Sequence, residues 1–133
     1  MLSTSCWGTP FLAIQPTRTA AGYEFKFKQC SRNAPAAVYH LTVARLNDQG
    51  RSEAVQCELL LKTGSASEGG EVIRDRWTYG ERPHGFEMKV CSPLVADRRY
   101  RITATGGGGG LQDFRVEKDG TVTLQNGDCE YRE

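Results

Sequence analysis

The sequence is poor in the features that most often announce a function. Its 17 Lys and Arg are matched by 16 Asp and Glu, leaving a formal net charge of +1. A nucleic-acid binder draws much of its affinity from neutralised phosphates and carries a basic excess to do so; no nucleic-acid partner is expected. No apolar run approaches the roughly 20 residues that cross a bilayer as a helix, so no membrane span is expected either. The first ten residues have neither the charged start nor the long apolar stretch of a signal peptide. With His40 and His84 as the only histidines, a metal centre would have to borrow carboxylates or thiolates; no metal and no cofactor are expected. No two cysteines stand at C-x-x-C spacing, which removes the main support for zinc-ribbon and thioredoxin-type readings.

Other absences concern catalysis. Five consecutive glycines, residues 106–110, lack the Gly-Lys-Ser/Thr ending and the following helix of a phosphate-binding loop. They read as a flexible connection and not as a site. No family signature surrounds any cysteine, so a Cys–His nucleophile pair has no support beyond composition. Glu58 and Glu87 could be imagined as a glycosidase pair, but both fall on solvent faces of expected strands, where acids are common filler. The expectation is a protein without catalytic residues, not an enzyme.

What is present points to a small β domain. The 133 residues suit one hydrophobic core. Cys6, Cys30, Cys57, Cys91 and Cys129 are spread almost evenly, as suits long-range staples in an oxidising compartment. All five are disulfide candidates, and at least one intramolecular bond is expected. Pairing within one chain leaves an odd thiol, free or bridging two copies. The localisation that follows is secreted or extracellular.

Period-two alternation recurs along the chain, the mark of half-buried strands. Tyr23, Phe25 and Phe27 alternate with Glu24, Lys26 and Lys28. Tyr39, Leu41 and Val43 form one expected inward set, and Val55, Cys57, Leu59 and Leu61 another. Ile73, Trp77 and Tyr79 share a side; so do Phe86, Met88 and Val90, and likewise Tyr100, Ile102 and Ala104. Turn chemistry at residues 47–50 and at Lys118-Asp-Gly120 separates strands at hairpin spacing. About eight strands predict an all-β, single-domain, antiparallel β-sandwich or small β-barrel, stabilised by disulfides. Residues 1–20, rich in Pro and Thr, are expected as an N-terminal arm or edge segment, and residues 21–133 as the β domain.

Arginines offer the one candidate binding face. Arg74 and Arg76 fall on one side of their strand, and Arg99 and Arg101 on one side of theirs. If the two strands are neighbours, four guanidinium groups form a basic face for a sulfated glycan, a phosphate group or an acidic protein. The plainer alternative is a solvated face balanced by Glu71, Asp75 and Asp97. Trp77 is expected in the core, and Trp7 over a disulfide.

The layout, with Tyr39-His-Leu-Thr-Val43, Val55-Gln-Cys57, Arg76-Trp77, Gly85-Phe-Glu-Met88 and Gly127-Asp-Cys129, resembles fungal small secreted cysteine-rich proteins. That class includes effectors and elicitors recognised by plants, and β-barrel proteins related to the major Alternaria allergen. The cysteine gaps differ from those of the allergen-like barrels. The resemblance implies a stable, non-enzymatic, often oligomeric protein that acts on, or is sensed by, a host protein or cell-surface component, and it brings no active-site residues. A homo-oligomer is expected from the odd cysteine and from unpaired strand edges. Two other readings stand beside it: a lectin-like carbohydrate-binding sandwich, and an inhibitor of an extracellular or periplasmic hydrolase.

Overall fold

The aromatic alternation at residues 23–28 produces the strand it predicts. Phe25 and Phe27 are fully buried, while Glu24, Lys26 and Lys28 keep contact with water. In the computed structural model, which describes residues 11–30, 36–62, 72–106 and 108–131, these described residues form nine strands in chain order. They are β1 (Leu12–Thr19), β2 (Gly22–Gln29), β3 (Val38–Leu46), β4 (Ser52–Leu61), β5 (Arg76–Thr78), β6 (Phe86–Cys91), β7 (Arg98–Gly106), β8 (Gly109–Val116) and β9 (Val122–Gly127). A three-stranded sheet has the order β1-β2-β5, and a six-stranded sheet the order β6-β4-β3-β7-β8-β9. All strand pairs are antiparallel. The sheets do not close into a barrel, so the fold is a β-sandwich.

A chain of rings joins the two layers. Trp77 stacks on Phe25 with ring centroids 5.5 Å apart, Phe25 meets Phe114 edge-on at 5.5 Å, and Phe114 stacks on Tyr100 at 5.7 Å. Trp77 and Phe25 come from the small sheet, Phe114 and Tyr100 from the large one. Offset and edge-to-face geometries of this kind add to what area burial already contributes. The polar tips are satisfied: the Trp77 indole donates to the Glu81 carbonyl at 2.8 Å, and the Tyr100 hydroxyl accepts from the Val95 amide at 2.8 Å. The Tyr79 hydroxyl donates to the Ser92 carbonyl, and burial, with a smaller contribution from Tyr100, holds its pKa well above the usual phenol range.

Three expectations about side-chain direction fail for one reason. Val43 pairs with Cys57 but Ala44 pairs with Val55, so Gln56 is an extra residue on β4. Glu58 pairs with Val90 but Leu59 with Met88, which makes Lys89 extra on β6. Val38 pairs with Gly106 but His40 with Thr105, which makes Tyr39 extra on β3. Each step exchanges inside for outside. Val55, Val90 and Tyr39, expected inward, are 48%, 38% and 42% exposed. Cys57 and Leu59 remain buried as expected.

The segment expected as an arm or edge contains a full strand: β1 pairs with β2 from Leu12–Gln29 to Thr19–Gly22. Leu12, Ala13 and Ile14 are all buried, so no alternation betrays them, and the hairpin loop Ala20-Ala21 lacks Asn-Gly or Asp-Gly chemistry. The β domain therefore begins before residue 21. Pro16, which has no amide to offer, lies on β1 at the margin of its sheet, and the margin strand β6 carries its extra residue at Lys89. Both devices discourage edge-to-edge pairing.

The steps in register predict a contrast in stability. Phe25→Ala is expected to lower the unfolding free energy by about 3–5 kcal/mol, whereas Val55→Thr is expected to change it by less than about 0.5 kcal/mol. Urea denaturation measures both, and a large loss for Val55→Thr would mean that β4 runs without the step.

Candidate functional site

The two arginine pairs do not meet. Arg76 lies on β5, which pairs with β2 in the small sheet, and Arg74 on the segment leading to it. Arg99 and Arg101 lie on β7, between β3 and β8 in the large sheet. Strand neighbourhood, the condition for a four-arginine face, is not met. Arg101 is also committed: its guanidinium grips Asp113 across the β7–β8 hairpin, Nε to Oδ1 at 2.6 Å and a second nitrogen to Oδ2 at 3.0 Å. These bonds raise its pKa further. The Asp113 side chain is 2% exposed, so this is a bidentate pair with one member out of water. Removing Arg101 would strand a buried carboxylate, a change that typically costs about 3–5 kcal/mol. Arg76 lies 3.8 Å from Glu24, and Arg99 donates to the Gln125 side chain.

The histidine and cysteine readings resolve as plainly. His40 Nε2 lies 2.7 Å from Glu58 Oε2, with the Thr42 hydroxyl at 3.4 Å, on the outer face of the large sheet. Cys30 is bonded to Cys129 and Cys57 to Cys91, so none of these four is a free nucleophile. Cys6 lies outside the described residues. Among the described residues no group of three or more His, Cys, Asp or Glu gathers as a metal site.

The glycine run is the feature the sequence undersold. Gly106 ends β7 and Gly109 begins β8, and within the turn the Gly106 amide donates to the Gly108 carbonyl at 2.7 Å. Of the expected loose connection, Gly106 thus belongs to β7, and Gly109 and Gly110 belong to β8. A Cβ on Gly106 would overlap the Ala37 carbonyl, and one on Gly110 the Leu12 carbonyl. These two positions need glycine so that neighbouring backbones can pass. Gly109 is different. The nearest atom to a Cβ there is the Ala104 carbonyl oxygen at 3.8 Å, an ordinary contact, and its φ is not positive. Neither packing nor backbone explains its bareness.

Gly109 lies on the floor of an open groove of ≈ 450 Å³ whose other lining residues are Phe11, Thr105, Gly106, Gly108 and Asp128. That volume falls within the roughly 300–1,000 Å³ of small-molecule sites. The walls come from opposite ends of the chain. Phe11, just before β1, bridges to Gly109 and is 60% exposed. Asp128, just after β9, is clamped to β8: its amide donates to the Leu111 carbonyl at 3.1 Å, and its Oδ2 accepts from the Leu111 amide at 3.0 Å.

One covalent bond ties these walls together. The Cys30 amide donates to the Phe11 carbonyl at 2.9 Å, Cys129 adjoins Asp128, and Cys30 is bonded to Cys129. Lys28 over the Tyr131 ring, 4.9 Å from its centroid, adds a second tie between β2 and the segment after β9. On the far side of the groove, Thr105 stands in register with His40 on β3, so the groove opens onto the outer face that carries His40, Glu58 and Tyr39.

Sequence reasoning did not reach this site, because its residues are dispersed and chemically plain. The available signals were Asp128 next to a cysteine and a glycine run longer than a turn requires. No protein-family model, curated protein or solved structure matches the chain. The groove rests on geometry alone.

If the bond positions the groove, Cys30→Ser/Cys129→Ser should cost about 4–5 kcal/mol, the loop-closure expectation for a loop of its length. Amides at Gly108, Gly109 and Leu111 should exchange faster in that variant, but keep their protection in Cys57→Ser/Cys91→Ser. Hydrogen-exchange mass spectrometry would show it; unchanged protection of the groove in the first variant would contradict the assignment.

Proposed function

We propose that the chain is a secreted, non-enzymatic binding domain, which acts on or is sensed by a host through its surface, with the groove between Phe11 and Asp128 as its point of contact. The observation that carries this reading is Gly109, a bare residue that the fold does not require, on the floor of a groove whose walls are fixed by a disulfide. Two disulfides in so small a domain suit an extracellular setting. The effector-like resemblance fits a stable scaffold braced by disulfides. A symmetric assembly of this domain would use the aliphatic side chains Val55, Leu60 and Val90, all exposed, rather than the guarded strand margins.

The experiment is a pull-down of fluorescently labelled protein on plant cell-wall material and intact plant cells. Gly109→Val puts a strand-favouring side chain into the groove without touching the core. Saturable binding is expected for the native protein, weakened about tenfold or more in Gly109→Val, a loss of about 1.4 kcal/mol. It should be unchanged in Arg74→Ala/Arg76→Ala. Equal binding by the native and Gly109→Val proteins would refute the groove as the contact.

A further inference from the structure

We infer that the groove takes an uncharged sugar residue of a glycan chain, with one ring face against Phe11 and its hydroxyls on Asp128 and Thr105; this deepens the surface-binding reading above and rests on it. Phe11, an exposed residue, offers an aromatic ring suited to the C–H face of a pyranose. Gly109 and Gly108 offer bare backbone, against which a flat ring can approach closely. Thr105 both donates and accepts, while the Asp128 carboxylate accepts only. A ligand facing Asp128 must therefore present donors, and sugar hydroxyls are donors.

Other ligand classes fit less well. Among the described residues no cation lines the groove, so a sulfate or phosphate would face the Asp128 carboxylate like charge to like. The nearby guanidinium, Arg101, is spent on Asp113. A purely apolar ligand would strip water from the Asp128 oxygens without replacing it. A neutral polyol meets none of these objections.

The surroundings imply a chain rather than a free monosaccharide. Thr105 is directly across from His40, and Tyr39 is the extra residue at the step between Val38–Gly106 and His40–Thr105. A glycan leaving the groove over Thr105 would pass His40, itself held by Glu58 at 2.7 Å, and the half-exposed Tyr39 ring. Affinity should then rise from the disaccharide to the hexasaccharide, and Tyr39→Ala should weaken the longer ligand only.

The test is an NMR titration of the oxidised, isotopically labelled protein with neutral hexasaccharides of the cellulose, laminarin, xylan, mannan and chitin types, alongside polygalacturonate and heparin fragments as anionic probes. At least one neutral hexasaccharide is expected to shift the amides of Thr105, Gly108 and Gly109 saturably. The affinity should fall about tenfold in both Phe11→Ala and Gly109→Val, with the thermal midpoint of Gly109→Val close to that of the native protein. The inference is overturned if no neutral hexasaccharide shifts these amides at millimolar concentration, if an anionic probe binds there more tightly, or if binding survives both substitutions. A sugar-negative result, with Gly109→Val still blocking attachment to cell material, would remove the sugar and leave the surface reading. Loss of both effects would remove both.

Discussion

The bond between Cys30 and Cys129 spans 99 positions of sequence and joins the two layers of the sandwich at one corner. Cys30 follows β2 in the small sheet; Cys129 follows β9, one of the two edge strands of the large sheet. Among the described residues, β9 is also tied by its ladder to β8, the Gln112 side chain, the Arg99–Gln125 hydrogen bond and packing against β1. With the disulfide, Phe11 and Asp128 face each other across a fixed gap. The second disulfide acts differently: Cys57 and Cys91 are already partners on paired strands, so it reinforces a ladder and builds no new geometry. In the chain-entropy picture the longer loop also gives the larger stabilisation, about 5 against about 4 kcal/mol.

The corner is supported by polar groups that the core cannot use. Gln112 is 5% exposed, and the two N–H groups of its side-chain amide are shared among the carbonyls of Asp113, Gln125 and Asn126 at 2.9, 3.0 and 3.3 Å. These carbonyls lie at the β8–β9 register step, between Gln112–Gly127 and Phe114–Leu124, where ladder partners are missing. Next to it, Asp113 is held by Arg101. The described residues contain no buried side-chain polar atom without a partner, so the corner is polar yet rigid. Such a satisfied network holds a unique arrangement, as a preformed binding groove requires.

Much of the sandwich was legible from periodicity, because Phe25/Phe27, Leu41/Val43 and Tyr100/Ile102/Ala104 alternate with polar residues and are buried where the pattern puts them. Three kinds of feature were not legible. A strand whose residues are all covered, such as the Leu12-Ala-Ile14 start of β1, shows no period. A single extra residue reverses the faces on either side of it, and nothing in Gln56, Lys89 or Tyr39 advertises that role. The groove was hidden for a third reason. It is assembled from residues 11, 105, 106, 108, 109 and 128, brought together by sheet topology and by a disulfide pairing that five cysteines leave undetermined. The arginine face failed for the same reason in reverse, since side-by-side placement depended on a topology in which β5 belongs to the other sheet.

Everything proposed for the corner depends on which cysteine bonds to Cys129. Trypsin cleaves between all five cysteines, at residues that include Lys28, Arg32, Arg51, Lys62, Lys89 and Lys118, so peptide mapping of the unreduced protein by mass spectrometry assigns the bonds directly. The account predicts a Cys30 peptide linked to the Cys129 peptide, a Cys57 peptide linked to the Cys91 peptide, and Cys6 in neither. A Cys129 peptide linked to Cys6, or recovered as a free thiol, would contradict it.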